Sequence, residues 1–583
     1  MKKNSFIRTA LNSLKIIWRA SPSKLLLRSL FGVLHGISWV LEVIFTQHFF
    51  DAVQRLSEGQ EKLSGCILGL LGMIIAVAFD QIMNGVDNCY GNIHELAFGG
   101  YINLQIFRRM DNMSCLEFED VDRLDELDKV KTGGGKMFWV GGTLIDLICF
   151  YGTYFIFSGI YLFTLKPLLC ISLLAAFIPS VISRSVQIRT FAQLEEQAAP
   201  VRRKCDYYEA CAADIRETRL FSANKRFQNL FAESLRRLNS LRLAAQIKKQ
   251  AISLLLDGIT ALGYGVVLYL VFVGVLRQEI SIGAFAAVLA SLTRMFNFMS
   301  EAITERYSFA VEDSAAAENL LQFMQEYTDE EEKTRWPEKS EMILNRVSFR
   351  YPNAKQDALH DVNLTIHPGE TIALVGENGS GKTTLCRLLL GLYPPSEGSV
   401  KLNGLPVCEL EKDRASAVFQ NYNKYKMTLQ DNIRMSCMEK GTTDHELNTL
   451  CRTAGVDLDN PALTDGVQTM LSREFDGAEL SGGQWQRIAI ARGLYRNADF
   501  IVLDEPTSAI DSLEETQLYQ GFSELCKEKT AVIVTHRLGS ARIADRIVVL
   551  KDGQIVEEGT HASLLQKNGE YSRMYAAQSQ WYA

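Results

Sequence analysis

The sequence predicts a multidomain chain: an all-α six-helix transmembrane domain followed by an α/β domain of the P-loop NTPase kind. Three observations carry this. Six apolar stretches in the first half each approach the ~20 residues that a bilayer requires. The run Gly376-Glu377-Asn378-Gly379-Ser380-Gly381-Lys382-Thr383 has the form G-x-x-x-x-G-K-[ST], set between the apolar run Thr371 to Val375 and the helix-like Thr384 to Leu392. Strand and helix patterns then alternate to the end of the chain.

A chain of 583 residues has room for more than one domain. Its formal net charge of −7 argues against nucleic acid as a partner, which calls for a basic footprint. The 12 cysteines are scattered without a C-x-x-C pair, which suits reduced thiols rather than a disulfide framework or a zinc site.

Taken in order, residues 1–28 carry Lys2, Lys3, Arg8, Lys15, Arg19, Lys24 and Arg28 and no acid. Ile7, Leu11, Leu14, Ile17 and Trp18 recur at helical spacing, so this segment reads as a basic amphipathic helix on the cytoplasmic membrane face. A transmembrane domain over 29–325 follows, with spans at about 29–50, 63–84, 137–163, 167–186, 251–276 and 282–303. Two long polar segments, about 85–136 and 187–250, are rich in Lys and Arg. By the positive-inside rule they face the cytoplasm, as do both termini, which makes this a multi-pass protein of a cell membrane, most simply a bacterial plasma membrane. Helical patterning in these loops extends spans two to five well below the bilayer.

Several acids fall within the apolar spans, among them Glu42, Asp80, Asp146 and Asp257. An ionisable group there faces a cavity or a partner. They are candidates for a translocation path that favours a cationic or amphipathic cargo. The alternative is pairing with internal bases such as Arg28 or Arg294.

The charged run 326–339 is a solvated linker, and residues 340–583 form the α/β domain. In its glycine-rich loop, Gly376, Glu377, Asn378, Gly379, Ser380 and Gly381 can turn backbone N–H groups around phosphate oxygens. Lys382 can reach the β- and γ-phosphates, the Thr383 hydroxyl can ligate Mg²⁺, and Thr384 continues into the helix whose N-terminus favours an anion. Leu480-Ser481-Gly482-Gly483-Gln484 places a hydroxyl and bare N–H groups at another helix start. Phe500 to Leu503 reads as a buried parallel strand ending in Asp504 and Glu505, and adjacent carboxylates on a strand point to opposite faces, which suits two roles.

In this order the motifs resemble those of an ATP-binding cassette (ABC) transporter of the exporter type, a half-transporter with one membrane domain fused to one nucleotide-binding domain. The resemblance covers nearly the whole chain and is most specific over 345–565. It implies ATP and Mg²⁺ as cofactors and ATP hydrolysis coupled to transport. It implies that Tyr351 stacks on adenine and that Ser481, Gly482, Gly483 and Gln484 form the signature that closes on nucleotide. Gln420 and Asp504 would hold Mg²⁺ beside Thr383, with Gln420 orienting water. Glu505 would polarise the attacking water, His536 would sense the γ-phosphate, and Asp511 would couple the two sites of a dimer. The partner would be a second half-transporter, with a homodimer the simpler reading because every catalytic motif is intact, and a heterodimer of this competent chain with an impaired one the alternative. Force would cross through short helices at the loop tips, for which the candidates are about Asp120–Leu127 and Ile215–Phe221. The activity implied is export of a hydrophobic, lipid-like or peptide cargo across the bilayer. Import of a metal-chelator complex by the same fold, and a non-transporting ATPase that gates a partner, are the alternatives. The sequence does not identify the cargo.

Overall fold

The computed structural model describes residues 6–213, 218, 220–327, 334–505, 529–536 and 538–579. The chain divides into two compact units, residues 1–111 with 126–328 and residues 112–125 with 329–583.

The first unit is helical. Helix Phe6–Ala20 turns Ile17 inward against Gly141, where a Cβ would come within 2.7 Å of the Ile17 Cδ1, while Ile7, Leu11 and Trp18 stay exposed. This is the split expected of a helix lying against apolar surroundings on one side. Long helices follow: Pro22–Ser57, Leu63–Met110, Val121–Ile145 running through a π turn at Asp146–Gly152 into Thr153–Leu165, Pro167–Ala213, Asn224–Leu276, and Ile282–Ser300 running through a second π turn at Glu301–Arg306 into Tyr307–Glu326. Among the described residues, five helical stretches are long and apolar enough to cross a membrane, and in Pro167–Ala213 the apolar part Pro167–Pro179 is shorter. The helix Leu63–Met110 has 48 residues, about 72 Å at 1.5 Å per residue, against a hydrocarbon core of about 30 Å. More than half of it therefore extends beyond the bilayer.

The first long helix begins at Pro22, so Arg28, read from sequence as part of a cytoplasmic tail, lies inside it and is buried. The last apolar helix is tied to the first: Ser281 Oγ accepts from Ala284 N at 3.0 Å and Asp51 Oδ1 accepts from Gly283 N at 2.9 Å. A Cβ at position 283 would stand 2.2 Å from Asp51 Oδ1, so only glycine lets that carboxylate cap the helix.

The second unit holds two sheets. Strands β1 (Met342–Phe349), β2 (Leu359–Ile366), β3 (Thr371–Gly376), β4 (Glu397–Leu402) and β5 (Leu405–Pro406) are followed by β6 (Ala415–Val418), β7 (Phe500–Asp504), β8 (Thr530–Val534), β9 (Arg546–Lys551) and β10 (Gln554–Gly559). One sheet has the order β2-β1-β4-β5 and is antiparallel; the other has the order β10-β9-β3-β8-β7-β6 and is parallel from β9 to β6. The parallel strands are continuous apolar runs because both faces are covered. Alternation then sorts their side chains. Phe500, Val502, Val532 and Val534 pack with Leu385, Leu388 and Leu389 of helix Lys382–Leu389. Ile501, Leu503 and Ile533 pack with Trp485, Ile488 and Ala489 of helix Gly482–Tyr495. The two helices thus lie on opposite faces of one sheet.

Residues 112–125 fold with this second unit. A 3₁₀ turn at Cys115–Glu119 is capped by Ser114 and Glu117, and Leu116 packs on the first core cluster. Glu119 Oε1 accepts from Arg387 Nη1 at 3.0 Å and from the Tyr393 hydroxyl at 2.5 Å, and Asp120 Oδ1 accepts from Asn353 Nδ2 at 3.2 Å. The expected contact segment Asp120–Leu127 overlaps this stretch through Asp125, and the contact extends further toward the N-terminus. The docking element is the 3₁₀ turn, and Val121 already begins the next long helix. Most of the second candidate, 215–221, lies outside the described residues.

Candidate nucleotide site

β3 ends in the glycine-rich loop. Gly376, Gly379 and Gly381 have φ of 155°, 80° and 101°, a region that side chains disfavour, and a Cβ on Gly376 would approach Leu550 O to 2.2 Å. Glu377, Asn378 and Gly379 are exposed, whereas Ser380 is buried. Lys382 folds back across the loop, donating from Nζ to Gly376 O at 3.0 Å and Glu377 O at 2.8 Å. Burial pushes its ammonium below the usual lysine range, opposed by the carboxylates of Glu505 and Asp504. Its donors therefore meet two loop carbonyls and, at 3.5 Å, the Ser380 hydroxyl, an arrangement suited to exchange for phosphate oxygens. Tyr351 OH lies 2.9 Å from Thr384 Oγ1, which ties the tyrosine to the first turn of the P-loop helix, and its ring meets Phe349 edge-on at 5.0 Å.

Asp504 ends β7 on the face of Phe500 and Val502, toward the P-loop helix, and Thr383 Oγ1 donates to its Oδ1 at 3.4 Å. Burial raises the Asp504 carboxyl above the usual range, opposed by the Thr383 hydrogen bond. Glu505 departs from the expected two-carboxylate strand. The strand stops at Asp504, and Glu505 has φ of 50°, a left-handed conformation costly for a residue with a Cβ. Its N–H donates to Val534 O at 3.1 Å, and its carbonyl accepts from Gln486 Nε2 at 3.4 Å. A backbone turn, not strand alternation, aims the carboxylate. Gln420 Nε2 donates to its Oε2 at 2.9 Å, and His536 Nε2 lies 2.5 Å from its Oε1. Gln420, Glu505 and His536, scattered over the sequence, are one hydrogen-bonded cluster.

Ser481 caps helix Gly482–Tyr495: its Oγ accepts from Gln484 N at 3.3 Å, and Gln484 Oε1 accepts from Ser481 N at 2.8 Å. Ser481 and Gly482 are exposed, Gly483 and Gln484 half-buried. The Tyr422 hydroxyl, two residues beyond Gln420, donates to Gly482 O at 2.7 Å. These N–H groups start a helix on the opposite sheet face from the P-loop helix.

Residues 359–508 match the ABC transporter family. The subtilin transport ATP-binding protein SpaT of Bacillus subtilis is 27% identical over 578 residues, spanning 96% of this chain and 92% of that protein. Residues 359–508 are thus an ABC transporter domain. An ATP-dependent lipid A-core flippase of Alkalilimnicola ehrlichii is 35% identical over 319 residues, and the transporter spans about half (54%) of that relative's length. A solved structure of a bacterial Atm1-family ABC exporter with ATP bound superposes with a TM-score of 0.73 at 21% identity, over 96% of this chain and 99% of that one, and so shares the fold.

The transporter's remaining predicted residues divide. Asp511 lies outside the described residues. Three of the four acids named as translocation-path candidates have internal partners. Arg28 Nη2 donates to Asp146 Oδ1 at 2.9 Å, Arg294 Nη1 donates to Glu42 Oε2 at 2.5 Å, and Ser38 Oγ donates to Asp80 Oδ1 at 2.9 Å. Two of these acids are thus neutralised by the bases named as alternatives from sequence. Asp257 lies in helix Asn224–Leu276, with its side chain outside the described residues. One residue escaped the sequence reading. Gln578, on the last helix Glu570–Ser579, donates to His536 O through Nε2 and accepts from Leu538 N at 3.0 Å. It brackets the loop that carries His536. A glutamine near a chain end carries no motif, so only its contacts reveal it.

Proposed function

We propose that the transporter is an ATP-driven exporter of a hydrophobic, lipid-like or peptide cargo, working as a homodimer. Its nucleotide chemistry centres on the cluster of Gln420, Glu505 and His536. Glu505 takes the proton from the attacking water, Gln420 orients that water, and His536 holds the carboxylate and answers to the γ-phosphate. Lys382 and the loop N–H groups of Gly376 to Thr384 receive the phosphates, and Tyr351 offers its ring to adenine. Thr383 Oγ1, Asp504 Oδ1 and the Gln420 amide are hard oxygen donors of the kind Mg²⁺ accepts, and they would hold it. When bound, that ion supplies neutralisation of phosphate charge.

The observation that carries the dimer is the placement of the signature helix and the P-loop helix on opposite faces of one sheet. One chain cannot close both halves on one nucleotide, so Ser481 to Gln484 of one copy complete the P-loop of the other, with Asp511 in the contact between sites. ATP then favours the closed pair and hydrolysis releases it, biasing the membrane half between two openings. The hydrogen bonds of Glu119 to Arg387 and Tyr393 fasten residues 112–125 to the cassette for that motion. Lys and Arg in the two long loops support an orientation with both termini and the cassette in the cytoplasm, in a bacterial plasma membrane. Relatives named for transport of subtilin and of lipid A-core support a peptide or lipid cargo. Sided transport in inverted vesicles tests the direction. ATP-dependent accumulation inside them, abolished by Glu505→Gln, is the expected result; depletion from them would indicate import, and turnover without movement a gating ATPase.

A further inference from the structure

The contacts of Tyr351 lead away from the nucleotide site to residues 112–125. The P-loop helix ends at Gly391, whose φ is 64° and where a Cβ would stand 2.4 Å from Val407 O. Two residues on, Tyr393 is buried, 4% exposed. Its ring stacks on that of Phe349, with centroids 5.5 Å apart and planes at 10°. Tyr351 meets both rings edge-on, Phe349 at 5.0 Å and Tyr393 at 6.0 Å, each at 85°. Stacked and edge-to-face pairs are the favoured aromatic arrangements, so Phe349 and Tyr393 together set the tilt of the Tyr351 ring.

The Tyr393 hydroxyl is held from the other side. It donates to Glu119 Oε1 at 2.5 Å and accepts from Arg387 Nη1 at 2.7 Å, and that Nη1 also donates to Glu119 Oε1 at 3.0 Å. Burial pushes the phenol above its ordinary value, and the bond to Glu119 adds to this, so the hydroxyl keeps its proton and stays a donor. The Arg387 guanidinium lies over the same ring, 5.3 Å from its centroid.

The next residue of the segment reaches the other flank of Tyr351. Asp120 Oδ1 accepts from Asn353 Nδ2 at 3.2 Å, two residues beyond the tyrosine. Leu116 packs on the core cluster that contains Phe349 and Tyr393 and on which Tyr351 also packs. The turn Cys115–Glu119 and its neighbour Asp120 thus touch Tyr351's surroundings at three points, all on the base side of the proposed site rather than the phosphate side.

We infer that Tyr393 is a positioning residue for the base: through it, docking of residues 115–120 sets Tyr351 for adenine, and adenine in turn holds that segment. The inference rests on the reading of Tyr351 as the adenine face. Coupling between two binding events is reciprocal, so it can be measured from either end.

The test uses the full-length protein in detergent, titrated at equilibrium with MgATP and with magnesium ribose 5′-triphosphate, which carries the same phosphates without a base. Tyr393→Phe and Glu119→Ala should each weaken ATP about three- to tenfold, the scale of one net hydrogen bond, and leave ribose triphosphate within about 1.5-fold. A general loosening of the fold weakens both ligands alike. Glu119→Gln, which keeps an oxygen acceptor for the phenol, should fall between Glu119→Ala and the unmodified protein. From the other end, hydrogen exchange at residues 115–120 should slow more with ATP than with ribose triphosphate at equal occupancy, and Tyr393→Phe should remove that difference. Equal losses for both ligands, ATP affinity unchanged in Tyr393→Phe and Glu119→Ala, or exchange indifferent to the base overturns the inference. Tyr351→Ala separates it from its premise. If that variant binds ATP as tightly as the unmodified protein, the adenine reading fails; if it loses ATP affinity while Tyr393→Phe and Glu119→Ala do not, only the role of Tyr393 fails.

Discussion

Replacing Glu505 by glutamine is the sharpest perturbation of the nucleotide site. The side chain keeps its shape, but one carboxylate oxygen becomes an NH₂ donor. Two groups now press on that carboxylate, Gln420 Nε2 at 2.9 Å from Oε2 and His536 Nε2 at 2.5 Å from Oε1. The remaining amide oxygen can accept from one of them, so one contact is lost along with the charge and the proton acceptor. Loss of a general base costs about 10²–10⁴ in rate, which at 1.36 kcal/mol per tenfold is about 2.7–5.4 kcal/mol of barrier. The left-handed turn at 505 is held by backbone bonds to Val534 and from Gln486, which the substitution does not touch. Lys382 and Thr383 hydrogen-bond elsewhere, so the phosphate cradle stays intact. Steady-state phosphate release should therefore fall at least about 100-fold while nucleotide affinity stays within about twofold. Hydrolysis within about threefold of the unmodified protein, at equal affinity, would remove Glu505 from the role of base.

Three further outcomes follow from the same structure. Lys382→Ala should weaken nucleotide binding, because no other buried cation lines the glycine-rich loop's described residues; an unchanged affinity in an equilibrium titration would count against the cradle. Gln578→Ala should lower kcat several-fold with KM for ATP little changed, because the glutamine positions the His536 loop and touches no nucleotide group; Gln578→Glu, which still accepts from Leu538 N but cannot donate to His536 O, should fall between, and equal kcat in all three would show a bystander. Glu370 is the pH-sensitive brace of the cassette. Burial pushes its carboxyl up, but hydrogen bonds from Arg546 and from the His367 N–H outweigh that and hold it below the usual value of 4.5. Its folded value is depressed, so its contribution is present above 4.5 and is lost as pH falls through the lower folded value. Glu370→Gln should cost about 1–3 kcal/mol near neutrality and flatten the acid limb of the thermal midpoint; a parallel acid limb would refute the brace.

How far this protein was legible differs between its parts. The glycine-rich loop, the signature and the strand before Asp504 were readable because each completes its chemistry within about ten residues. The long helices were readable because hydrocarbon thickness imposes a length on any apolar span. Glu505 was found, but its setting was misjudged: period-two alternation describes a strand, and the backbone had already left the strand. The tail boundary at Arg28 was misplaced because a cation at a span's edge looks solvated until its partner is known, and Asp146 stands 118 residues away.

The sequence by itself therefore determined the two-part design, the order of the nucleotide motifs and the chemistry each can perform, since these reside in neighbouring atoms and in hydrophobic length. Tertiary structure alone decided which charges meet. It put Arg28 on Asp146 and Arg294 on Glu42, set Gln420 and His536 on either side of one carboxylate, and fastened the last helix to the His536 loop through Gln578. Such pairs are contacts across space between positions far apart along the chain, and periodicity and propensity, which report on neighbours, carry no information about them.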